Sequence, residues 1–391
     1  GHDCLGVALL FRRDGELEWH ETPMTGLTND RWQASFQTAE LGRYVYTVIG
    51  WVDHFQTWRQ GFIKKIDAGQ AVLVEILEGV RLIDAASQRA PGVEGQSLKE
   101  WADRLKSSAE SERRRIEQVL DQNLAVIMAK YPDRRFATQY ERELGVVVDR
   151  EKARFSAWYE MFPRSCSQGG THGTFRECEA RLPYIASMGF DVLYVPPIHP
   201  IGITHRKGKN NVSTAGLDDP GSPWGIGSSD GGHEAIHPQL GTAKDFRRFL
   251  EKARSFGIEI ALDLAFQCSP DHPYVTQHRE WFKVRSDGTV QYAENPPKKY
   301  QDIVPLDFET DQWEPLWQEL KRVVIHWIEQ GVRIFRVDNP HTKPFRFWEW
   351  LIHEIRVDYP DVMFLAEAFT RPKVMYRLAK LGFTQSYTYF A

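Results

Sequence analysis

The chain has 391 residues, enough for two or three domains with cores of their own. Its formal net charge of −4 gives no electrostatic reason to expect a nucleic-acid partner. No apolar run approaches the ~20 residues needed to cross a bilayer, so no membrane association is expected. Cys4, Cys166, Cys178 and Cys268 are scattered without CxxC spacing. That pattern argues against a zinc site and a disulfide framework and fits a reducing cytoplasm. The chain opens Gly1-His2-Asp3 without a Met, which weakens any argument from a missing signal peptide. The 13 Trp, 14 Tyr and 22 Phe suit stacking on sugar rings, although core and surface packing is the commoner use of aromatic residues.

Residues 1–75 read as a β-sandwich domain. VALLF (7–11), RWQASF (31–36), RYVYTVIGWV (43–52) and GFIKKID (61–67) are rich in β-branched and aromatic residues and are separated by turn-prone clusters. Residues 76–150 read as a helical insert. Between 98 and 131 there is neither Gly nor Pro, and apolar residues recur at helical spacing. The charge run Ser111–Arg115 is expected to be a solvated helix face, and 86–97 a loop.

From 151 to 391 the rhythm changes to short apolar runs alternating with amphipathic helices. The runs are 155–162, 191–198, 258–266, 332–339 and 362–369, with QSYTYFA (385–391) as the start of a sixth. Helices are expected at 174–188, 243–256, 314–330 and 372–381. Gly189, Gly257 and Gly331 stand between helix and strand, where a left-handed C-cap belongs. Continuously apolar strands alternating with helices indicate a parallel sheet covered by helices. The expected fold is an α/β, (β/α)8 TIM-type barrel, incomplete at about six strands where eight close the ring. A doubly wound sheet is the alternative. The loop 266–310 after the third strand forms a subdomain.

Acids at strand ends are the informative feature. Asp263, Asp338 and Glu367 interrupt apolar strands at or near the C-terminal rim, where a carboxylate costs several kcal/mol unless paired or usefully exposed. One such acid alone fits a structural ion pair, for instance Asp338 with Arg336, whereas three at equivalent positions point to an active site. Arg336 and Asp338 are two apart and share a strand face, so Arg336 can hold Asp338 ionised as a nucleophile requires. Glu367 stands among Leu365, Ala366, Ala368 and Phe369, an apolar setting that suits a general acid. Two carboxylates about 5–5.5 Å apart would make a retaining glycosidase-type pair. Lys207, Lys209, Lys298 and Lys299, if brought together, would suit an anion such as phosphate. WGIGSSDGGH (224–233) lacks the nucleotide-loop pattern and reads as a rigid substrate loop. His199, His205 and His233 lack metal-ligand spacing, so no metal is expected.

GVRIFRVDN (331–339) resembles the nucleophile motif of the α-amylase superfamily, and LAEAF resembles its acid/base strand. Longer strings place the resemblance in one branch: PPIHPIGITHRKGKNN, GSPWGIGSSDGGHEAIHPQLGT, ALDLAFQCSPDHP, ENPPKKYQDIVPLDFE, FRVDNPHTKP and FLAEAFTRP. They are similar to α-1,4-glucan:maltose-1-phosphate maltosyltransferases (the GlgE type), over the whole chain. The resemblance implies a retaining transferase that moves maltosyl units from α-maltose 1-phosphate to the non-reducing end of an α-1,4-glucan. Asp338 would be the nucleophile, with Arg336 beside it and Glu367 as acid/base. Lys207, Asn211, Tyr300 and Asn339 would hold phosphate, and Gln267, Asn295, Lys298 and Asp302 the maltosyl unit. A cytoplasmic homodimer without cofactor or metal is implied as well. So is truncation at both ends, with a third catalytic Asp beyond Ala391 and an inactive, poorly folded fragment. The rival readings are an α-glucan hydrolase, a trehalose-forming isomerase or a non-catalytic glycan-binding fragment. Phosphate as the leaving group separates the first two from the transferase.

Overall fold

The computed structural model describes residues 2–216 and 218–388, which divide into two compact units, one ending at Val148 and the other beginning at Asp149.

In the first unit, Leu5–Arg13 lies at the centre of a five-stranded sheet, antiparallel to His20–Pro23 on one side and Gly42–Val52 on the other. The first half of Gly42–Val52 also pairs with Leu144–Val148 and the second half with Thr138–Gln139. The expected helical character up to 145 therefore gives way, past Tyr131, to two strands that return to the sheet. The strand expected at 61–67 is instead part of a helix, His54–Asp67. Phe55, Trp58, Phe62 and Ile66 recur at helical spacing and pack into the helical core, and the Asp53 carboxylate caps the helix by accepting from Gln56 N–H.

The loop expected at 86–97 is shorter than its composition suggests, because Leu73–Ser87 and Gly92–Lys106 are both helical. Gly95 allows that tight re-entry: a Cβ there would sit 2.4 Å from the Ala90 carbonyl oxygen. Ser111 and Asp121 cap the next two helices, Glu112–Val119 and Gln122–Lys130, and so divide what reads as one helical stretch. Ile76, Ile83, Leu98, Leu105, Val119 and Leu124 are fully buried among these helices.

The second unit is built on six parallel strands, each beside its predecessor in the chain: Trp158–Glu160, Val192–Val195, Glu259–Leu264, Ile334–Val337, Met363–Glu367 and Gln385–Tyr387. Sequential parallel order is that of a β/α barrel wall rather than of a doubly wound sheet, whose strand order reverses. The expected strand at 385–391 is seen as far as Tyr387; residues 389–391 lie outside the described residues. Helices return the chain between strands, and Gly189, Gly257 and Gly331 take positive φ values of 81°, 76° and 106° after three of them. The long Trp313–Glu329 helix buries Leu316, Leu320, Val323, Val324, Trp327 and Ile328 along one stripe, at roughly 1.5–3 kcal/mol for each large apolar side chain fully removed from water. Within 266–310, Gln267–Cys268 pairs with Val304–Pro305, and Ala293–Asn295 forms a hairpin with Lys298–Tyr300. Among the described residues no helix is long and apolar enough to cross a membrane.

Candidate active site

Cross-strand register builds the site in two layers. Asp263 pairs with Arg336, and Val337 pairs with Ala366, so Asp338 and Glu367 stand abreast one residue further on. Alternation along the strands puts Arg336 and Asp338 on the same face. The lower layer is Asp263, Arg336 and the tyrosines. Arg336 Nη1 lies 2.8 Å from Asp263 Oδ2 and 2.9 Å from Asp338 Oδ1, while Nη2 lies 2.5 Å from Glu367 Oε1. Arg336 Nε donates to the Tyr387 hydroxyl at 3.0 Å, and the Tyr194 hydroxyl donates to Asp263 at 2.6 Å. One guanidinium thus holds three carboxylates.

Burial sets the protonation of this cluster. Desolvation pushes the Glu367 carboxyl up to about 7, against the pull of Arg336 and with help from the neighbouring Asp338. The same cause pushes Asp263 up to about 7. Asp263 is only 1% exposed and also accepts from the Tyr194 hydroxyl, so among the three strand-end acids it is the one that backs the guanidinium.

Above this layer opens a cavity of about 1390 Å³. Of the residues singled out from sequence, Lys207, Asn211, Gln267, Asn295, Tyr300, Asp302, Asp338 and Asn339 line it. Arg336 and Glu367 lie beneath it, joined to Asp338 as described. Lys298 does not line it, and neither does Lys299. Both are exposed on the 293–300 hairpin, so the expected cluster of four lysines is reduced to Lys207 and Lys209. Strand alternation explains Lys299, which faces away from Tyr300, whereas Lys298 shares the face of Tyr300 and stands beside the turn of the hairpin.

Lys207 is buried with its Nζ 3.8 Å from Asp302 Oδ1, so the cation expected on an anion and the acid expected on a sugar are neighbours. Burial raises the Asp302 pKa, and its Oδ1 has no hydrogen-bond partner. Asn210, Asn211 and Asn339 take left-handed backbone conformations, φ 56°, 62° and 42°. Asn tolerates that region better than most residues, and strained backbone gathers at functional sites.

Several residues that sequence reasoning passed over also line the cavity, namely Phe162, Arg164, Thr342 and Lys343, and so does Trp224 from the expected substrate loop. The Lys343 ammonium reaches the carbonyls of Asp338 and Asn339, both at 3.4 Å, and burial lowers its pKa. A lysine five residues after a strand-end acid carries no spacing signal, and the aromatic residues read as core.

Two of the glycines of 224–233 make room for a buried histidine. A Cβ on Gly227 or Gly232 would come within 2.3 Å of the His272 ring. His233, Cys268 and His272 bring three possible metal-ligand atoms within 4.8 Å of one another, a grouping invisible in their spacing. Hydrogen bonds commit the nitrogens elsewhere. His272 Nδ1 accepts from Tyr274 N–H, which leaves the proton of the neutral ring on Nε2 to be donated to His233 Nδ1 at 3.0 Å. His233 Nε2–H then donates to the Ala265 carbonyl at 3.0 Å. Burial holds both rings neutral. The relay uses each lone pair that a metal would need, and it ties the Gly-rich loop to the third strand.

Comparison with known proteins bears on the family resemblance. A family model described as alpha-1,4-glucan:maltose-1-phosphate maltosyltransferase, domain N/S, matches residues 1–150, and one for the alpha-amylase catalytic domain matches residues 160–319. Proteins named alpha-1,4-glucan:maltose-1-phosphate maltosyltransferase from Methylacidiphilum infernorum (isolate V4) and Chlorobaculum tepidum are each 54% identical over 393 and 391 residues. One from Myxococcus xanthus is 53% identical over 399 residues. The alignments cover 100% of this chain but 58%, 58% and 60% of those proteins. Along its entire length the chain is similar to α-1,4-glucan:maltose-1-phosphate maltosyltransferases, and it spans about three fifths of the length of these relatives.

Proposed function

We propose that this chain supplies the donor site and two reacting carboxylates of a retaining maltosyltransferase, which moves maltosyl units from α-maltose 1-phosphate to the non-reducing end of an α-1,4-glucan. The observation that carries the proposal is the pair Asp338 and Glu367, abreast on neighbouring strands and held by one guanidinium below a cavity that also presents Lys207.

Asp338, ion-paired with Arg336, attacks the anomeric carbon. Glu367, protonated near neutral pH, donates to the departing phosphate oxygen. Lys207, Asn211, Tyr300 and Asn339 receive the phosphate, while Gln267, Asn295 and Asp302 meet the sugar hydroxyls. Lys298 is retained from the resemblance as a sugar contact; its exposed position asks the hairpin to move toward the donor. Glu367, now a carboxylate, deprotonates the glucan hydroxyl that takes the maltosyl group, and two inversions give net retention. The chemistry draws on no metal or cofactor. Cytoplasmic location and a homodimer complete the proposal on the strength of the family resemblance.

The test uses a protein that carries this chain at the length of its relatives. Phosphate release from α-maltose 1-phosphate is measured with and without a maltooligosaccharide. Acceptor-dependent release is expected, and Asp338→Ala should lower it by about 10⁴-fold. Hydrolysis of starch without any phosphate release would replace the transferase with a hydrolase. Unchanged release in Asp338→Ala would remove Asp338 from the mechanism.

A further inference from the structure

Cys166 and Cys178, which sequence spacing does not connect, lie with their sulfurs 3.4 Å apart in the buried interior of the second unit. Each thiol also faces a backbone carbonyl: Cys166 Sγ is 3.6 Å from Phe162 O, and Cys178 Sγ is 3.8 Å from Pro163 O. Those carbonyls belong to the segment whose Phe162 and Arg164 side chains line the large cavity. Phe162 stands edge-on to Trp224, and Arg164 donates to the Gly221 carbonyl at 2.7 Å, so the segment is tied to two further cavity-lining residues. Gly173 closes the base of the intervening loop, donating its N–H to Arg164 O at 2.7 Å, at an approach too close for a Cβ. The loop residues 168–171 are exposed. Cys166, 6% exposed, sits at the edge of that loop, whereas Cys178 is fully buried.

We propose that Cys166 and Cys178 form a redox modification site at the rim of the cavity: a hydroperoxide converts the pair to a disulfide, and closing that bond shifts Phe162 and Arg164. The disulfide itself does not depend on the reaction assigned to the cavity, whereas its effect on KM rests on that reading. Geometry divides the roles. Cys166 lies at the loop edge and is the attacking sulfur, while the fully buried Cys178 is the resolving one. The bond from Cys178 and the charge of Arg181 favour the Cys166 thiolate, whereas the bond to Cys166 and burial push Cys178 up. The Cys166 thiolate attacks the distal peroxide oxygen, the O–O bond breaks, and the alkoxide or hydroxide leaves as ROH or water after protonation. This produces a sulfenic acid on Cys166. The Cys178 sulfur then attacks the Cys166 sulfur, expels water and completes the disulfide. Two thiols are oxidised and one peroxide is reduced, to ROH and water. The sulfurs must approach to about 2 Å, and both thiol hydrogens are lost, so neither sulfur can donate to the carbonyl it faces at residue 162 or 163.

The experiment exposes the reduced, folded, full-length protein to hydrogen peroxide, blocks the remaining thiols and digests with trypsin without reduction. Arg164, Arg176 and Arg181 place the two cysteines on separate peptides, 165–176 and 177–181. The expected result is a linked pair of these peptides that dithiothreitol separates. A several-fold rise in the KM for α-maltose 1-phosphate should accompany it, absent from peroxide-treated Cys178→Ser. Failure of the two peptides to link in the folded protein, under conditions that link them after denaturation and refolding in oxidant, would overturn the site. Full linkage with an unchanged KM would overturn its coupling to the cavity. Linkage is scored on the wild-type protein, so a variant that fails to fold does not spoil the test.

Discussion

The two compact units place their charges in opposite ways. In the helical part of the first unit the ions lie outside: Arg113 pairs with Glu117 on an exposed helix face, and Arg114 pairs with Glu110 just before the same helix. The interior there is apolar, from Ile76 and Ile83 to Leu124. In the second unit an equally apolar set of strands carries Asp263, Arg336, Asp338 and Glu367 at its C-terminal rim. Burying an ion costs several kcal/mol, and breaking a buried pair leaves the remaining charge uncompensated. The first arrangement therefore serves solubility and helix stability, while the second holds charge where water cannot screen it.

Substitution at Arg336 should expose that difference most strongly. Arg336→Met leaves three carboxylates without their shared cation. We expect a loss of about 3–5 kcal/mol in stability, read from denaturant unfolding, and a fall of about 10²–10³-fold in turnover. Near-wild-type values for both would mean that the carboxylates are neutral and the guanidinium is dispensable. In the first unit the large effect should instead come from an apolar deletion. Ile83→Ala should cost about 2–5 kcal/mol with turnover per folded molecule unchanged.

The pH response is the next largest effect. With Glu367 held near 7, the step that needs its proton should slow about tenfold per pH unit above that value. Glu367→Gln should lose that dependence together with most of the activity. The sign for stability follows from the same shift. The folded state keeps the proton to a higher pH than the unfolded chain does, so this group's contribution declines as pH rises from the ordinary carboxylate range to about 7 and is level above it. A rate that climbs through pH 7 would contradict the acid role. The smallest effect belongs to the exposed pair: Arg113→Ala should change stability by no more than about 0.5 kcal/mol, whereas a larger loss would show that the helix face is not merely solvated.

Much of the second unit was legible because its signals are local. Helix–Gly–strand punctuation at Gly189, Gly257 and Gly331 marks left-handed caps, and continuous apolar runs mark strands buried on both faces. Carboxylates inside such runs stand out because nothing in a core explains them. The first unit was less legible. GFIKKID has the composition of a strand but lies in a helix, where an upstream cap at Asp53 and the packing of Phe62 outweigh local propensity. The strands at 138–139 and 144–148 follow a long helical stretch, and only their pairing with Gly42–Val52 makes them strands.

By itself, the sequence determined the alternation of strands and helices, the face shared by Arg336 and Asp338, and the acids most worth attention. These depend on neighbours within a few residues, where backbone geometry fixes direction. Only the tertiary structure decided that Asp263 backs the guanidinium while Asp338 and Glu367 stand abreast. It alone separated Lys207 from Lys298 and Lys299, and joined Cys166 to Cys178 and His233 to His272. Such encounters follow from strand register and from how loops close over the sheet, which are set by packing between segments far apart in the chain.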